Sequence, residues 1–422
     1  MSASPLFVPL TLPNGLIVPN RIAKAAMEEN LADPEHLPGP ALLRLYRRWA
    51  EGGAGLILTG NVMIDARALT GPGGVVLDDA QPLAPFAAWA RAIGAGGGLA
   101  WMQINHPGRQ VYAAMRQETV APSAVSLRMG RFSGLFPPPR TLTGEEIADI
   151  VARFALTASR AEQAGFAGVQ IHAAHGYLLS QFLSPLSNLR TDAWGGSLEN
   201  RARLLLDVVR AVRARVSPGF GVGVKLNSAD FQRGGFAQQD ALQIVRWLGA
   251  LPVDLVELSG GSYESPAMTG KATSSTIARE AYFVDFAREI AAEASMPIMV
   301  TGGIRRRAVA EAALVPSDGR TAIALVGLAR ALAYAPDLPN HWRTGARDVA
   351  LPSVGWSSPA LSSVAQMAMT KAQLGRMGKG RQPQTRLRPM LAMLSQQIGD
   401  VRRTRAYRRW IVRHREAAGV TS

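Results

Sequence analysis

The chain has 422 residues, of which 47% are hydrophobic and 42 are glycine, enough for a large core with many tight turns. It contains no cysteine, which excludes disulfides, thiolate zinc sites and cysteine-ligated iron–sulfur clusters. Residues 343–422 hold fifteen Lys and Arg and three acidic residues, which is a net charge of +12 out of the total of +15. Residues 1–342 are therefore nearly neutral, which argues against reading the whole chain as a nucleic-acid binder.

The first predicted element is a hairpin, because Asn14-Gly15 separates two short apolar segments and is a favoured turn pair. We expect this hairpin to close the bottom of the barrel predicted below. The segment before it lacks the basic region and apolar core of a signal peptide, and no apolar run in the chain reaches membrane-spanning length. We therefore expect a soluble, cytoplasmic protein.

Eight apolar runs predict β-strands at residues 21–27, 55–64, 98–105, 168–172, 222–227, 255–259, 297–301 and 322–326. Segments of helical period between them predict α-helices at residues 41–52, 82–95, 143–165, 198–216, 237–250, 276–294 and 306–314. Thr143 and Glu146 have the spacing of a capping box at the start of the third helix. Apolar strands that alternate with amphipathic helices predict an α/β fold, a (β/α)8 TIM barrel spanning residues 1–342.

Two segments fall outside this alternation. A long connection rich in Gly and Pro, residues 107–140, follows the third strand, and loops of this length are usually lids or binding loops. Residues 343–422 are predicted to form a basic, helical C-terminal extension. Its apolar residues at helical spacing are Leu391, Leu394, Ile398, Val401 and Ile411. We expect this face to pack on the same chain or on a neighbouring subunit of a homo-oligomer; an anionic surface or nucleic acid is the alternative.

The fourth predicted strand ends in Ile-His-Ala-Ala-His-Gly-Tyr, which places His172, His175 and Tyr177 where a buried strand opens into a loop. Imidazole and phenol groups can donate hydrogen bonds to an oxygen and deliver a proton near neutral pH. In a parallel barrel, functional residues collect at the carboxyl ends of the strands. The motif therefore predicts a pocket for a substrate carbonyl, and not a metal site.

Glycine turns after the seventh and eighth strands predict a phosphate site. Gly302-Gly303 and Ala329-Arg330 occupy these turns, and Arg330 adds a positive charge. Lys225 could place a cation beside a ring system, and Gln103 could both donate to and accept from a ring edge. A phosphorylated, planar cofactor such as FMN fits this set. The other candidate contacts at strand ends are Ala26, Met27, Glu28, Gly60 and Ser259.

From about residue 9 to residue 342, the chain resembles the old yellow enzyme family of FMN-dependent ene-reductases. The motif around His172 carries the resemblance together with four further segments, at residues 20–22, 181–185, 188–192 and 195–201. The resemblance implies an FMN enzyme that uses NAD(P)H to reduce an activated alkene in a ping-pong cycle.

The resemblance also implies roles for the central motif. His172 and His175 would hold the carbonyl or nitro oxygen of the alkene, reduced flavin N5 would give hydride to the β-carbon, and Tyr177 would protonate the α-carbon. Gln103 would contact the flavin pyrimidine edge. The phosphate would bind to Arg330 and to the backbone amides of Gly303 and Ala329.

Three positions depart from the family pattern. Lys225 stands where an arginine is common near flavin N1 and O2, so the cation is kept but its bidentate fork is lost. Glu28 stands where Thr or Cys is usual beside flavin O4 and N5; we expect a raised pKa or a side chain turned away. Asn30 stands where a substrate-facing tyrosine is common, which predicts a wider substrate pocket.

Alternative functions remain at this stage. The same site could serve an NAD(P)H:quinone or NAD(P)H oxidase activity. It could also belong to an enzyme that resembles dienoyl-CoA reductase but lacks the iron–sulfur cluster; the absence of cysteine argues against electron transfer through such a cluster. A non-enzymatic barrel could bind anionic partners through its basic extension. The presence of both histidines and the tyrosine argues against a mere scaffold.

Overall fold

The computed structural model describes residues 4–261, 264, 276–316, 322–345 and 348–417. Eight parallel strands close into a barrel, with the last strand paired to the first through Val326 and Ile22 and the third paired to the fourth. The barrel strands are β1 (Ile22–Lys24), β2 (Leu56–Leu58), β3 (Leu99–Asn105), β4 (Gly168–Ala173), β5 (Gly221–Asn227), β6 (Leu255–Ser259), β7 (Ile298–Thr301) and β8 (Leu325–Leu328). The predicted TIM barrel is confirmed.

The strands are buried on both faces because helices surround the barrel and apolar side chains fill its interior. The helices are α1 (Pro40–Glu51), α2 (Ala84–Gly94), α3 (Gly144–Gln163), α4 (Leu178–Leu183), α5 (Leu198–Arg215), α6 (Gln238–Gly249), α7 (Thr276–Glu293), α8 (Arg307–Leu314), α9 (Arg330–Tyr334), α10 (Leu338–Arg343), α11 (Pro359–Gly378) and α12 (Pro389–Ala417). The predicted capping box starts α3, where Thr143 and Glu146 exchange side-chain to backbone hydrogen bonds.

Three predicted strand boundaries were wrong. The first strand covers only Ile22–Lys24, and the predicted run 55–64 is divided into β2 and a two-residue strand, Val62–Met63. The division falls at Gly60, where an added Cβ would lie 2.3 Å from the carbonyl oxygen of Met27, so the backbone turns tightly against the end of β1. The eighth strand begins later than predicted, at Leu325.

The predicted hairpin is present, with Leu10–Thr11 antiparallel to Ile17–Val18 and Gly15 at φ 87°. Asn14 Nδ2 donates to the carbonyl of Gly219 at 3.1 Å, just before β5 begins. The hairpin thus closes the barrel at the amino ends of its strands.

Short strands and 3₁₀ helices lie in the loops that follow the barrel strands. They are the strands Val62–Met63, Val75–Val76, Val120–Ala121 and Arg140–Thr141 and the 3₁₀ helices Ala113–Met115 and Gly130–Leu135; a further 3₁₀ turn, Pro5–Phe7, precedes the hairpin. The long connection after β3 therefore has structure of its own, because Val120–Ala121 within it pairs in parallel with Arg140–Thr141 at its end.

The C-terminal extension forms α11 and α12, which pack on each other and on the barrel of the same chain. Of the five apolar residues predicted to pack, Ile411 is partly buried against the barrel side, whereas Leu391, Leu394, Ile398 and Val401 are exposed in the single chain. Packing of those four on a neighbouring subunit stays a prediction. Aromatic residues one turn or more further along make the contact instead, since Tyr407 and Trp410 pack beside Met63 and Met115. Among the described helices, none has the length and apolarity that crossing a membrane requires. The expected homo-oligomer stays a prediction.

Candidate active site

The three side chains of the central motif meet at the carboxyl end of β4. His172 belongs to the strand, His175 adopts a left-handed backbone conformation with φ 61°, and Tyr177 precedes α4. The His172 ring lies edge-on to both neighbours, with centroid distances of 5.1 Å to His175 and 4.9 Å to Tyr177. The turn after β4 therefore brings together the three side chains that the sequence motif predicted to share one pocket.

Backbone hydrogen bonds orient the two histidines. The amide of Ala174 donates to Nδ1 of His172 at 3.2 Å, so Nε2 carries the proton of the neutral ring. The amide of His175 donates to Oδ1 of Asn227 at 3.0 Å, and Nε2 of the His175 ring lies 2.9 Å from the hydroxyl of Ser259. Ser259, expected beside a cofactor, thus contacts the second histidine.

Both histidines are neutral near pH 7. Burial lowers the pKa of His172 well below its ordinary value, and His175 and Lys225 act in the same direction. Burial and the charge of Lys225 likewise lower the pKa of His175. Each ring is therefore a neutral N–H donor, suited to holding an oxygen without carrying a charge.

Tyr177 is buried, and Nδ2 of Asn61 lies 3.4 Å from its hydroxyl oxygen. Asn61 directly follows Gly60 beyond the end of β2, so the wall beside the phenol comes from a strand that is two positions away from β4 around the barrel. Asn61 was not among the predicted site residues, although it follows a buried strand as they do.

Gln103 and Lys225 are the two ends of one buried polar chain across the barrel. Gln103 Nε2 donates to Gln170 Oε1 at 2.7 Å, and Gln170 Nε2 donates to Glu257 Oε2 at 2.7 Å. Lys225 Nζ lies 2.8 Å from Glu257 Oε1. The predicted cation is therefore paired with a carboxylate. Gln170 and Glu257 were missed, although a polar residue inside an apolar strand was the available signal.

A second buried ion pair lies beneath the end of β1. Lys24 is fully buried; its Nζ donates to the carbonyl of Leu58 at 2.7 Å and to the Tyr46 hydroxyl at 3.1 Å, and lies 4.0 Å from Glu29. Burial lowers the pKa of Lys24 to about 8 and raises the pKa of Glu29. Glu29 also accepts a hydrogen bond from the amide of Gly60, which fixes that predicted contact residue in place.

The predicted phosphate turns adjoin each other, because β7 and β8 are paired neighbours. Gly302 and Gly303 follow β7, with φ 74° at Gly303, and Ala329 leads into α9, which Arg330 begins. Arg330 is half-buried; burial lowers its pKa, and the positive charge of Arg305 acts in the same direction. No carboxylate among the described residues pairs with Arg330. A half-buried cation in that position is suited to an anion.

The end of β1 corrects one prediction. Ala26, Met27 and Glu28 are half-buried there. Burial acts to raise the pKa of Glu28, but the charge of Lys371 and hydrogen bonds from Thr70 and Asn30 outweigh it and hold that pKa below its ordinary value. The first alternative, a raised pKa, was wrong because Lys371 comes from α11, far away in the sequence; the second, a side chain turned away from the flavin, stays a prediction.

The family of the chain follows from its sequence. A family model described as the NADH:flavin oxidoreductase / NADH oxidase family matches residues 5–348. The chain belongs to this family. An NADH-dependent flavin oxidoreductase of Hypocrea jecorina is 40% identical over 79% of this chain and 87% of its own length. One from Neonectria sp. is 39% identical over 79% of this chain, which spans 46% of that longer protein.

Solved structures show the same relationship. An old yellow enzyme homologue from Zymomonas mobilis superimposes with a TM-score of 0.67 and 27% identity over 82% of this chain and 94% of its own. Morphinone reductase in complex with tetrahydroNAD has a TM-score of 0.68 and 28% identity over 83% and 93%. The protein is thus an NADH-dependent flavin oxidoreductase of the old yellow enzyme family, and its cofactor is FMN.

The site suits both the phosphate end and the flavin-ring end of FMN. The half-buried Arg330 and the positive-φ turn at Gly303 leave a cationic, amide-rich place for a phosphate dianion. At the other end, Gln103 uses its amide nitrogen on Gln170, while its carbonyl oxygen takes no part in that bond. A flavin edge with an N–H donor would match that acceptor.

Proposed function

We propose that this flavin oxidoreductase uses NADH to reduce the activated C=C bond of α,β-unsaturated carbonyl compounds, and of related nitro compounds and imides. The observation that carries the proposal is the constellation at the end of β4: two neutral imidazoles and a buried phenol in mutual contact. Neutral N–H donors polarise a carbonyl, and a phenol delivers a proton, which are the two tasks that such a reduction leaves to the protein.

The residues divide the work as follows. The chemistry that bound FMN supplies is hydride transfer between NADH and the alkene. His172 would donate from Nε2 to the substrate oxygen, since Nδ1 is engaged by the amide of Ala174. His175 would hold the same oxygen, steadied by Ser259 and Asn227. Tyr177 would give its proton to the α-carbon.

Other residues would hold the cofactor. Gln103 and Lys225 would contact the flavin ring, and the compensation of Lys225 by Glu257 reduces the net positive charge offered to reduced flavin. Arg330, with the amides of Gly303 and Ala329, would bind the phosphate. Asn30, which is buried at the end of β1, would border the substrate pocket.

The test is to record the visible spectrum of the protein, reconstituted with FMN if necessary, and then to reduce it anaerobically with NADH or NADPH. Reoxidation is followed in stopped flow with 2-cyclohexenone, with a maleimide and with menadione. Rapid reoxidation by the alkenes supports the proposal. Reoxidation only by menadione or oxygen would favour a quinone or NADH oxidase activity, the name carried by a relative from Thermoanaerobacter brockii that is 33% identical over 78% of this chain.

A further inference from the structure

The C-terminal extension reaches the active-site wall. The family match ends at residue 348, whereas α11 begins at Pro359. From this helix, Lys371 Nζ lies 3.5 Å from Glu28 Oε2 and donates a hydrogen bond to Asn30 Oδ1. We propose that Lys371 is a positioning residue of the active site, which holds Glu28 as a charge-compensated carboxylate beside the flavin. This inference rests on the proposed function.

Glu28 is held from three directions. The hydroxyl of Thr70 donates to Oε1, Asn30 Nδ2 donates to the same oxygen at 3.3 Å, and Lys371 faces Oε2. The Glu28 side chain is 22% exposed and that of Lys371 is 20% exposed, so the pair is screened less than a surface ion pair. The ammonium group and both hydrogen-bond donors favour the ionised carboxylate.

This cluster adjoins the reacting groups through a short chain of contacts. Gly60 packs against the backbone of Met27 and the carboxylate of Glu29, the two neighbours of Glu28. Asn61, next to Gly60, contacts the Tyr177 hydroxyl. Glu28 therefore belongs to the wall that also positions the proposed proton donor.

Packing makes Lys371 a fixed part of this wall. Helix α11 packs on α1 and α9, and its residues Ala368 and Leu374 are almost completely buried. Arg44 of α1 donates to the carbonyl of Gly378 at 2.8 Å, at the end of α11. Because the packed helix already fixes the backbone of Lys371, forming the pair costs side-chain entropy only, whereas a lysine on a mobile loop would also have to order its backbone.

The pairing has a predictable electrostatic consequence. With Lys371 present, Glu28 adds little net charge near the flavin. Without it, an ionised Glu28 would oppose the gain of negative charge on reduction and lower the flavin potential, or it would take up a proton as the pH falls.

The experiment compares the full-length FMN-bound protein with its Lys371→Met, Lys371→Arg, Glu28→Gln and double Glu28→Gln/Lys371→Met variants. Lys379→Met removes the same charge from the exposed residue just beyond the end of α11 and serves as the control. The flavin reduction potential is measured by dye equilibration between pH 5.5 and 8.5. Thermal melting verifies that each variant is folded.

We expect Lys371→Met to lower the potential at high pH. The difference should vanish as the pH falls, because without the charge of Lys371 the carboxylate of Glu28 takes up a proton at a higher pH than in the parent. Lys371→Arg and Lys379→Met should match the parent. Glu28→Gln alone leaves the charge of Lys371 uncompensated and should raise the potential, whereas the double variant, which has neither charge, should return towards the parent value. A Lys371→Met potential equal to that of the parent at every pH would overturn the inference. Failure of the parent to bind FMN would instead contradict the proposed function, and the spectrum shows this before any variant is compared.

Discussion

The amide of Ala174 and Nδ1 of His172 form a 3.2 Å hydrogen bond that decides which imidazole nitrogen carries a proton. Because burial keeps this ring neutral, the bond leaves Nε2–H as its donor. Two residues of the motif produce this orientation: Ala174 supplies the amide, and His175, with its backbone in the left-handed conformation, reverses the direction of the chain. The proposed oxygen-binding site thus follows from the backbone path as much as from the histidines.

Tyr177→Phe is expected to slow reoxidation of the reduced enzyme by 2-cyclohexenone about 10²- to 10⁴-fold, because the proton donor is lost. Flavin reduction by NADH needs no such proton and should change little. Stopped-flow absorbance of the two half-reactions measures both effects. An equal loss in the two half-reactions would exclude Tyr177 as the specific donor.

The alkene half-reaction is expected to show no histidine ionisation between about pH 6 and pH 8, because the pKa of His172 and of His175 lies well below the ordinary value of about 6.5. The same lowered pKa values affect stability: as the pH falls below about 6.5 the unfolded chain takes up protons before the folded protein does, so these histidines destabilise the folded state only on the acid side. The pH dependence of the single-turnover rate checks the first statement. A rate transition near pH 6.5 that disappears in His172→Asn would contradict it.

Lys225→Met is expected to destabilise the protein by about 3–5 kcal/mol, because it leaves the carboxylate of Glu257 buried without its cation. Adding Glu257→Gln should restore most of that loss, since Gln can still accept from Gln170. Urea unfolding with saturating FMN measures the free energy of unfolding of each variant. Lys379→Met is the matched control, and a double variant no more stable than Lys225→Met would argue against the pairing.

Arg330→Ala is expected to weaken FMN binding about 10- to 150-fold, the value of a charge-assisted hydrogen bond of about 1.5–3 kcal/mol. Riboflavin, which has the same ring but no phosphate, should bind the variant as well as it binds the parent. Titrations followed by flavin fluorescence compare the two ligands. The same loss for both would show that Arg330 acts on the fold or on the ring and not on the phosphate.

The succession of apolar strands and amphipathic helices predicted the barrel well, because a parallel sheet buried on both faces leaves a strong local signal. Strand ends were predicted less well. The turn at Gly60 depends on how closely the backbone passes Met27 and Glu29, which is a tertiary contact. Helical spacing likewise indicated an apolar face from Leu391 to Val401, but within the chain it is Tyr407 and Trp410, further along the same helix, that contact the barrel side.

The sequence by itself determined the order of strands and helices and the motif from His172 to Tyr177, because these depend on residues a few positions apart. Only the tertiary structure decided which charged side chains are paired. Lys225 lies opposite Glu257 of the adjacent strand, and Lys371 meets Glu28 across 343 positions of chain. A side chain's pKa depends on burial and on charges within a few ångströms, and the fold alone determines which residues come that close.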